Sequence, residues 1–196
     1  MIKNEKFLNK EHIAVSMLDK IFNRTTMQLM DIIAMNPTHI RDIAEKLDAS
    51  PGHIHNIIQF LKENDLVLEK KEKNRKIIYI NSKNALIKKI RSLINIWKLL
   101  ETKSFNRLRR FGPIGVYGSF ANGTNDEHSD MDLWVYTDEK LISFQDILRA
   151  LENELNVKAN LLVLNRNKIS ELKKEDREFY MRIKLTSTVF GEDIFD

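Results

Sequence analysis

The stretch that most restricts what this chain can become is YGSFANGTNDEHSDMDLWV, residues 117–135. One apolar run, PIGVY, ends at Gly118-Ser119, and a second, MDLWV, opens behind Asp130. Both read as strands. Side chains alternate faces along a strand, so Asp130 and Asp132 share one face while Met131, Leu133 and Val135 take the other and enter a core. Two carboxylates about 7 Å apart along a strand repel unless a cation sits between them. Magnesium takes hard oxygen ligands and completes its shell with water and phosphate oxygens. Gly118 lets the backbone approach a phosphate closely, and Ser119 adds a hydroxyl donor. The stretch thus combines a phosphate-cradling turn with a metal-binding pair.

Other chemistries are poorly served. Gly118 and Gly123 have the glycine spacing of a Walker-A loop, but Thr124 stands where its lysine belongs, and no G-x-G-x-x-G occurs in the turn. The histidines, His12, His39, His53, His55 and His128, have no zinc-ligand spacing. There is no cysteine, so disulfides, Cys-zinc sites and thiol nucleophiles are excluded.

At 196 residues the chain suffices for one large domain or two small ones. No apolar run approaches the ~20 residues that span a bilayer, and MIKNEKFLNKEH has no signal-peptide core, so the expected location is the cytoplasm, without membrane association. The net charge of +4 hides an asymmetry. Residues 1–110 carry 22 Lys and Arg against 12 Asp and Glu, a net of +10, whereas residues 111–196 carry 10 against 16, a net of −6. A basic half suits a polyanion and an acidic half a bound cation; solvated helices that happen to cluster charge are the alternative.

In the basic half, residues 8–35 have helical periodicity with a break near Asn23–Thr25, and Asn36-Pro37 ends a helix. THIRDIAEKLDAS follows, with Thr38 as the expected cap and Ile40, Ile43, Ala44 and Leu47 as its apolar stripe. SPGHIHNIIQFLKEND places Ser50 at a cap, Pro51 at the first helical position, Ile54, Ile57, Ile58 and Leu61 inward, and His53, His55, Asn56 and Gln59 outward. LVLEK and RKIIYI then alternate with period two around a polar turn. This order, over roughly residues 20–82, resembles a winged helix-turn-helix domain in the style of MarR- or ArsR-like regulators. The resemblance implies a recognition helix at 51–63 in the major groove of duplex DNA. Lys70, Lys71, Lys73, Arg75 and Lys76 would lie on phosphates. A winged helix used only for protein contacts is the competing reading. Residues 84–103 are helical, with Leu86, Ile90, Leu93, Trp97 and Leu100 in a heptad-like seam, either a homodimer helix or a strut between domains. ETKSFNRLRRFGP marks the boundary that follows.

Gly118-Ser119, ten residues, then Asp130-x-Asp132 resembles the signature of the polymerase-β nucleotidyltransferase superfamily, and most nearly its minimal, MNT-type branch. The resemblance covers roughly residues 104–196. Downstream, SFQDILRALENELN reads as an amphipathic helix, VKANLLVLN as a third strand and STVFGEDIF as a closing strand. The fold class expected is α+β: a winged helix-turn-helix at 1–83, a linker or dimerisation helix at 84–103, and a small mixed-sheet nucleotidyltransferase domain with flanking helices at 104–196. The resemblance implies that Asp130 and Asp132 are catalytic and hold Mg²⁺ or Mn²⁺. It also implies that Gly118, Ser119, Gly123 and Ser129 bind an NTP. Its third carboxylate, on the next strand, corresponds here to Asn160, a candidate metal ligand that has no charge and cannot act as a base. Glu152 and Glu154 are the nearby substitutes. Three functions follow: a nucleotidyltransferase with a DNA-binding module; a DNA-binding regulator whose second domain senses nucleotide; or an MNT-type antitoxin acting on a partner toxin, often of the HEPN type.

Overall fold

The computed structural model describes residues 17–72 and 75–195. The chain divides into two compact units, residues 1–84 and 85–196. Among the described residues, no helix is long and apolar enough to cross a membrane.

In the first unit α1 spans Arg24–Met35. Asn23 caps it by accepting from the Thr26 N–H at 2.9 Å, which accounts for the break in periodicity. The part of the expected helix before residue 17 lies outside the described residues. Helix α2 is Ile40–Lys46, and its cap is His39 rather than Thr38. Thr38 is diverted because its backbone exchanges two hydrogen bonds with Ile78, adding a bridge to the edge of the hairpin, while its hydroxyl donates to Asp42 at 2.7 Å. Helix α3, Pro51–Glu63, starts as expected from Ser50, whose hydroxyl accepts from the His53 N–H. Ile54, Ile58 and Leu61 are fully buried, whereas Ile57 is half-buried. Strands β1, Val67–Glu72, and β2, Arg75–Ile80, pair antiparallel from Val67↔Ile80 to Glu72↔Arg75. Three helices and a two-stranded hairpin in this order are a winged helix-turn-helix.

The second unit opens with α4, Ala85–Glu101, the segment expected as a linker or dimerisation helix. Of its expected seam, Leu86, Leu93 and Trp97 are 40%, 48% and 62% exposed and Ile90 is buried; Ile87, Arg91, Ile94, Asn95 and Leu99 are buried with it. Polar groups set this rotation. Arg91 donates to the Asn125 carbonyl, Ser92 to the Ala121 carbonyl, and Asn95 to the Phe120 carbonyl and to Asn125 Oδ1 at 2.8 Å each. A buried loop carbonyl left without a donor is costly, so these three side chains outrank the hydropathy pattern. Helix α5, Lys103–Leu108, follows and buries Phe105 and Leu108.

A four-stranded sheet then forms from β3, Ile114–Tyr117, β4, Met131–Tyr136, β5, Ala159–Leu164, and β6, Thr188–Phe190, in the order β5-β4-β3-β6. β4 and β6 flank β3 antiparallel, and β5 runs parallel to β4. The crossover to β5 is α7, Gln145–Leu155. One sheet face carries Ile114, Val116, Met131, Leu133 and Val135 and packs with Leu99, Phe105, Leu108, Ile147 and Leu151. The other carries Tyr117, Trp134 and Leu164 beneath α8, Arg166–Glu175, and α9, Arg177–Thr186, which contribute Ile169, Leu172, Tyr180 and Ile183. Mixed sheet and flanking helices give the α+β class expected.

Candidate functional site

Alternation puts Asp132 on the same face as Trp134, and the register puts it directly opposite Tyr117. Helices α8 and α9 cover Trp134 and Leu164. Asp130 is exposed just ahead of β4, and Asp132 is half-buried. The parallel register pairs Asp132 with Asn160 on β5. Asn160 Nδ2 donates to Asp132 Oδ1 at 3.2 Å and to Asp130 Oδ2 at 3.4 Å. The three side chains therefore form one cluster, and an amide donor sits where two like charges would otherwise face each other alone.

Gly118 closes the other side. Its φ of +70° is left-handed, and a Cβ there would stand 2.8 Å from Asp132 Oδ2. Only glycine gives both the turn and the open carboxylate. From Gly118 the short helix α6, Gly118–Asn122, starts with no side chain capping its first turn, and Ser119 is half-buried within it. Burial first, and then the Asp132 charge, raise the Tyr117 phenol above its ordinary value, while Arg182 on α9 pulls it back down. That places a cation near the site which the sequence pattern had not singled out.

Two other expected members make contacts of their own. Gly123, at φ +67°, ends α6 against α4, where a Cβ would collide with the Lys88 carbonyl oxygen. The Ser129 hydroxyl donates to Asp126 at 2.8 Å and accepts from its N–H at 2.9 Å. That hydroxyl, then the His128 N–H, holds the exposed Asp126 carboxyl below its ordinary pKa. The neighbouring glutamates accept hydrogen bonds away from the aspartates. Glu152 accepts from the Ala159 N–H at 2.9 Å, and Glu154 from the Ser104 hydroxyl at 2.8 Å. Among the described residues no group of three His, Asp or Glu is arranged to hold a metal. The donor set still fits one hard divalent cation. Asn160 engages one oxygen of each aspartate, the other oxygens remain, and the missing Cβ of Gly118 leaves Asp132 Oδ2 open. Magnesium needs only one or two carboxylates when phosphates and water complete its shell.

In the first unit, His53, His55 and Asn56 are exposed along α3, and Gln59 is half-buried. Lys71 and Arg75 are exposed on the hairpin, and Lys73 lies outside the described residues. Lys76 and Lys62 clamp Glu69 at 2.8 and 3.0 Å and hold its carboxyl below the ordinary glutamate range. Lys70 pairs with Glu72 at 3.2 Å. A cleft of about 500 Å³ beside the hairpin is lined by His39, Ile40, Arg41, Asp42, Arg75 and Lys76. His39 and Arg41 join this basic edge only through the fold: His39 Nδ1 lies 2.9 Å from the Lys76 carbonyl oxygen, across 37 residues of chain.

Residues 102–193 match the family model described as polymerase beta, nucleotidyltransferase, so this stretch is a nucleotidyltransferase domain of that family. Two solved structures are similar to part of the chain. One is the homodimeric winged helix-turn-helix DNA-binding domain of Mb0332 from Mycobacterium bovis, a possible ArsR-family regulator. It is 19% identical, with 41% of this chain and 71% of that one covered and a TM-score of 0.32. Another is a predicted DNA-binding transcriptional regulator from E. coli, 14% identical, with 47% and 97% covered and a TM-score of 0.36. No curated protein matches the chain.

Proposed function

We propose, from the polymerase-β nucleotidyltransferase domain at residues 102–193, that the second unit binds an NTP with Mg²⁺ and transfers its nucleoside monophosphate to an acceptor hydroxyl, while the first unit binds duplex DNA. The observation that carries this reading is the cluster of Asp130, Asp132 and Asn160 facing the side-chain-free Gly118. Asp130 and Asp132 would hold the metal, which when bound supplies charge neutralisation and polarises the α-phosphate. Gly118 and Ser119 lie against the phosphates. The acceptor oxygen forms a bond to the α-phosphorus as the bond to the β-phosphate oxygen breaks, and pyrophosphate leaves. Asn160 cannot accept the acceptor's proton, so that proton passes to water or to a base on the acceptor.

Asn160 also favours a second reading, a DNA-binding regulator whose second unit binds nucleotide and transfers it slowly or not at all. Nonspecific DNA affinity comes mainly from phosphate contacts, for which Lys71, Arg75, His39 and Arg41 are candidates among the described residues. Incubation of the full chain with each α-labelled NTP, Mg²⁺ and candidate acceptors separates the readings. Labelled product with pyrophosphate release supports transfer. Saturable binding without product supports the sensor, and no binding of any NTP removes both.

A further inference from the structure

A nucleoside triphosphate brings a polyanionic tail, yet residues 117–135 contain no Lys or Arg and add Asp126 and Glu127 to the aspartate pair. One divalent ion offsets the two aspartates but not the triphosphate beside them. The remaining countercharge has to come from another element. Helix α9 packs against α6, the helix that begins at Gly118. On α9, Phe179 meets Tyr117 edge to face with centroids 6.1 Å apart, and Arg182 Cζ lies 5.0 Å from the Phe179 centroid. Tyr117 immediately precedes Gly118 and pairs with Asp132. Tyr117, Phe179 and Arg182 thus form a run of ring and cation contacts leading away from Gly118.

Two other cations of the helical C-terminal part are engaged away from Tyr117. Lys184 donates to the Phe195 carbonyl at 2.6 Å, and Lys173 sits over the Tyr180 ring at 5.2 Å. Arg182 is exposed, and among the described residues no carboxylate lies within ion-pair distance of it. A guanidinium held on an aromatic face keeps its donors in a fixed plane, which suits paired contacts to phosphate oxygens.

We propose that Arg182 binds the β- and γ-phosphates of the nucleotide, with Phe179 as the platform that orients its guanidinium. This rests on the nucleotide-binding reading above and assigns the residue that tells a triphosphate from a monophosphate.

The full chain is titrated by calorimetry, in Mg²⁺, with inorganic tripolyphosphate, then with the four NTPs and the monophosphate of the tightest-binding base. Arg182→Gln should weaken tripolyphosphate and NTP binding by about 10- to 100-fold, the scale of charged hydrogen bonds. It should leave monophosphate binding unchanged. Arg182→Lys should recover part of the loss, and Phe179→Leu should give a smaller loss of the same kind. Unchanged NTP affinity in Arg182→Gln, or an equal loss for NTP and monophosphate, overturns the assignment alone. A wild-type chain that binds neither tripolyphosphate nor any NTP overturns the nucleotide-binding reading and the assignment with it.

Discussion

Asn160→Asp is the substitution whose effect follows most directly from the geometry. The amide nitrogen lies 3.2 and 3.4 Å from the two aspartate oxygens it serves. A carboxylate there exchanges two attractions for two like-charge contacts. At about 3.3 Å each contact costs about 1 kcal/mol with the dielectric of water and about 5 kcal/mol at an effective value of 20. Asp130 and residue 160 are exposed and free to rotate apart, so the low end applies, about 2 kcal/mol in all. For a unit of this size that lowers the melting temperature by about 5–10 °C at neutral pH without metal. The two tryptophans, Trp97 and Trp134, both lie in the second unit, so tryptophan fluorescence reports its melting separately from the first. The variant should melt lower than wild type in EDTA. It should gain more than wild type from Mg²⁺, and lose the difference at acid pH as the third carboxylate protonates. With the right acceptor present its transfer rate should rise, up to the roughly 10²–10⁴-fold worth of a positioned base. Equal melting in EDTA together with an equal Mg²⁺ response would refute the cluster, because Asn160 would then not face the aspartates.

Other substitutions test separate parts of the structure. Lys71→Ala with Arg75→Ala should flatten the slope of log K for duplex DNA against log salt by roughly one unit per lost phosphate contact, whereas Asn56→Ala or Gln59→Ala should alter sequence preference; fluorescence anisotropy at several salt concentrations distinguishes them. Gly123→Ala forces a Cβ onto the Lys88 carbonyl and a left-handed backbone, and should lower stability by about 1–3 kcal/mol in tryptophan-monitored denaturation. The Glu69 carboxyl is depressed by Lys76 and Lys62. Its contribution is therefore complete above the ordinary glutamate pKa and lost as pH falls through the lower folded value, so Glu69→Gln should remove that part of the acid dependence in circular-dichroism melts.

Local pattern made the strands and the aspartate pair legible. SDMDLWV alternates cleanly, and that alternation alone puts Asp132 with Trp134 and away from Leu133. Asn160 was legible as the odd residue of VKANLLVLN, though only the β4–β5 register puts its amide between the two carboxylates. On helix α4 Arg91 and Asn95 turn inward to serve carbonyls more than twenty residues away, a demand that hydropathy does not record. Thr38 was misread for a related reason, since its backbone had a strand partner at Ile78. Phe179 and His39 could not be found by spacing, because Phe179 meets Tyr117 and His39 meets Lys76 only by tertiary packing across 37 residues or more, and Arg182 reaches the site through Phe179.

The central claim is that the second unit binds Mg-NTP through Asp130 and Asp132. Calorimetric titration of Mg²⁺ and NTP into the full chain, beside the double variant Asp130→Asn with Asp132→Asn, tests it most directly. Removing two like charges leaves the fold without a reason to weaken. Saturable, metal-dependent binding by wild type and its loss from an equally stable double variant is the predicted result; equal Mg-NTP affinity in the two proteins would contradict it.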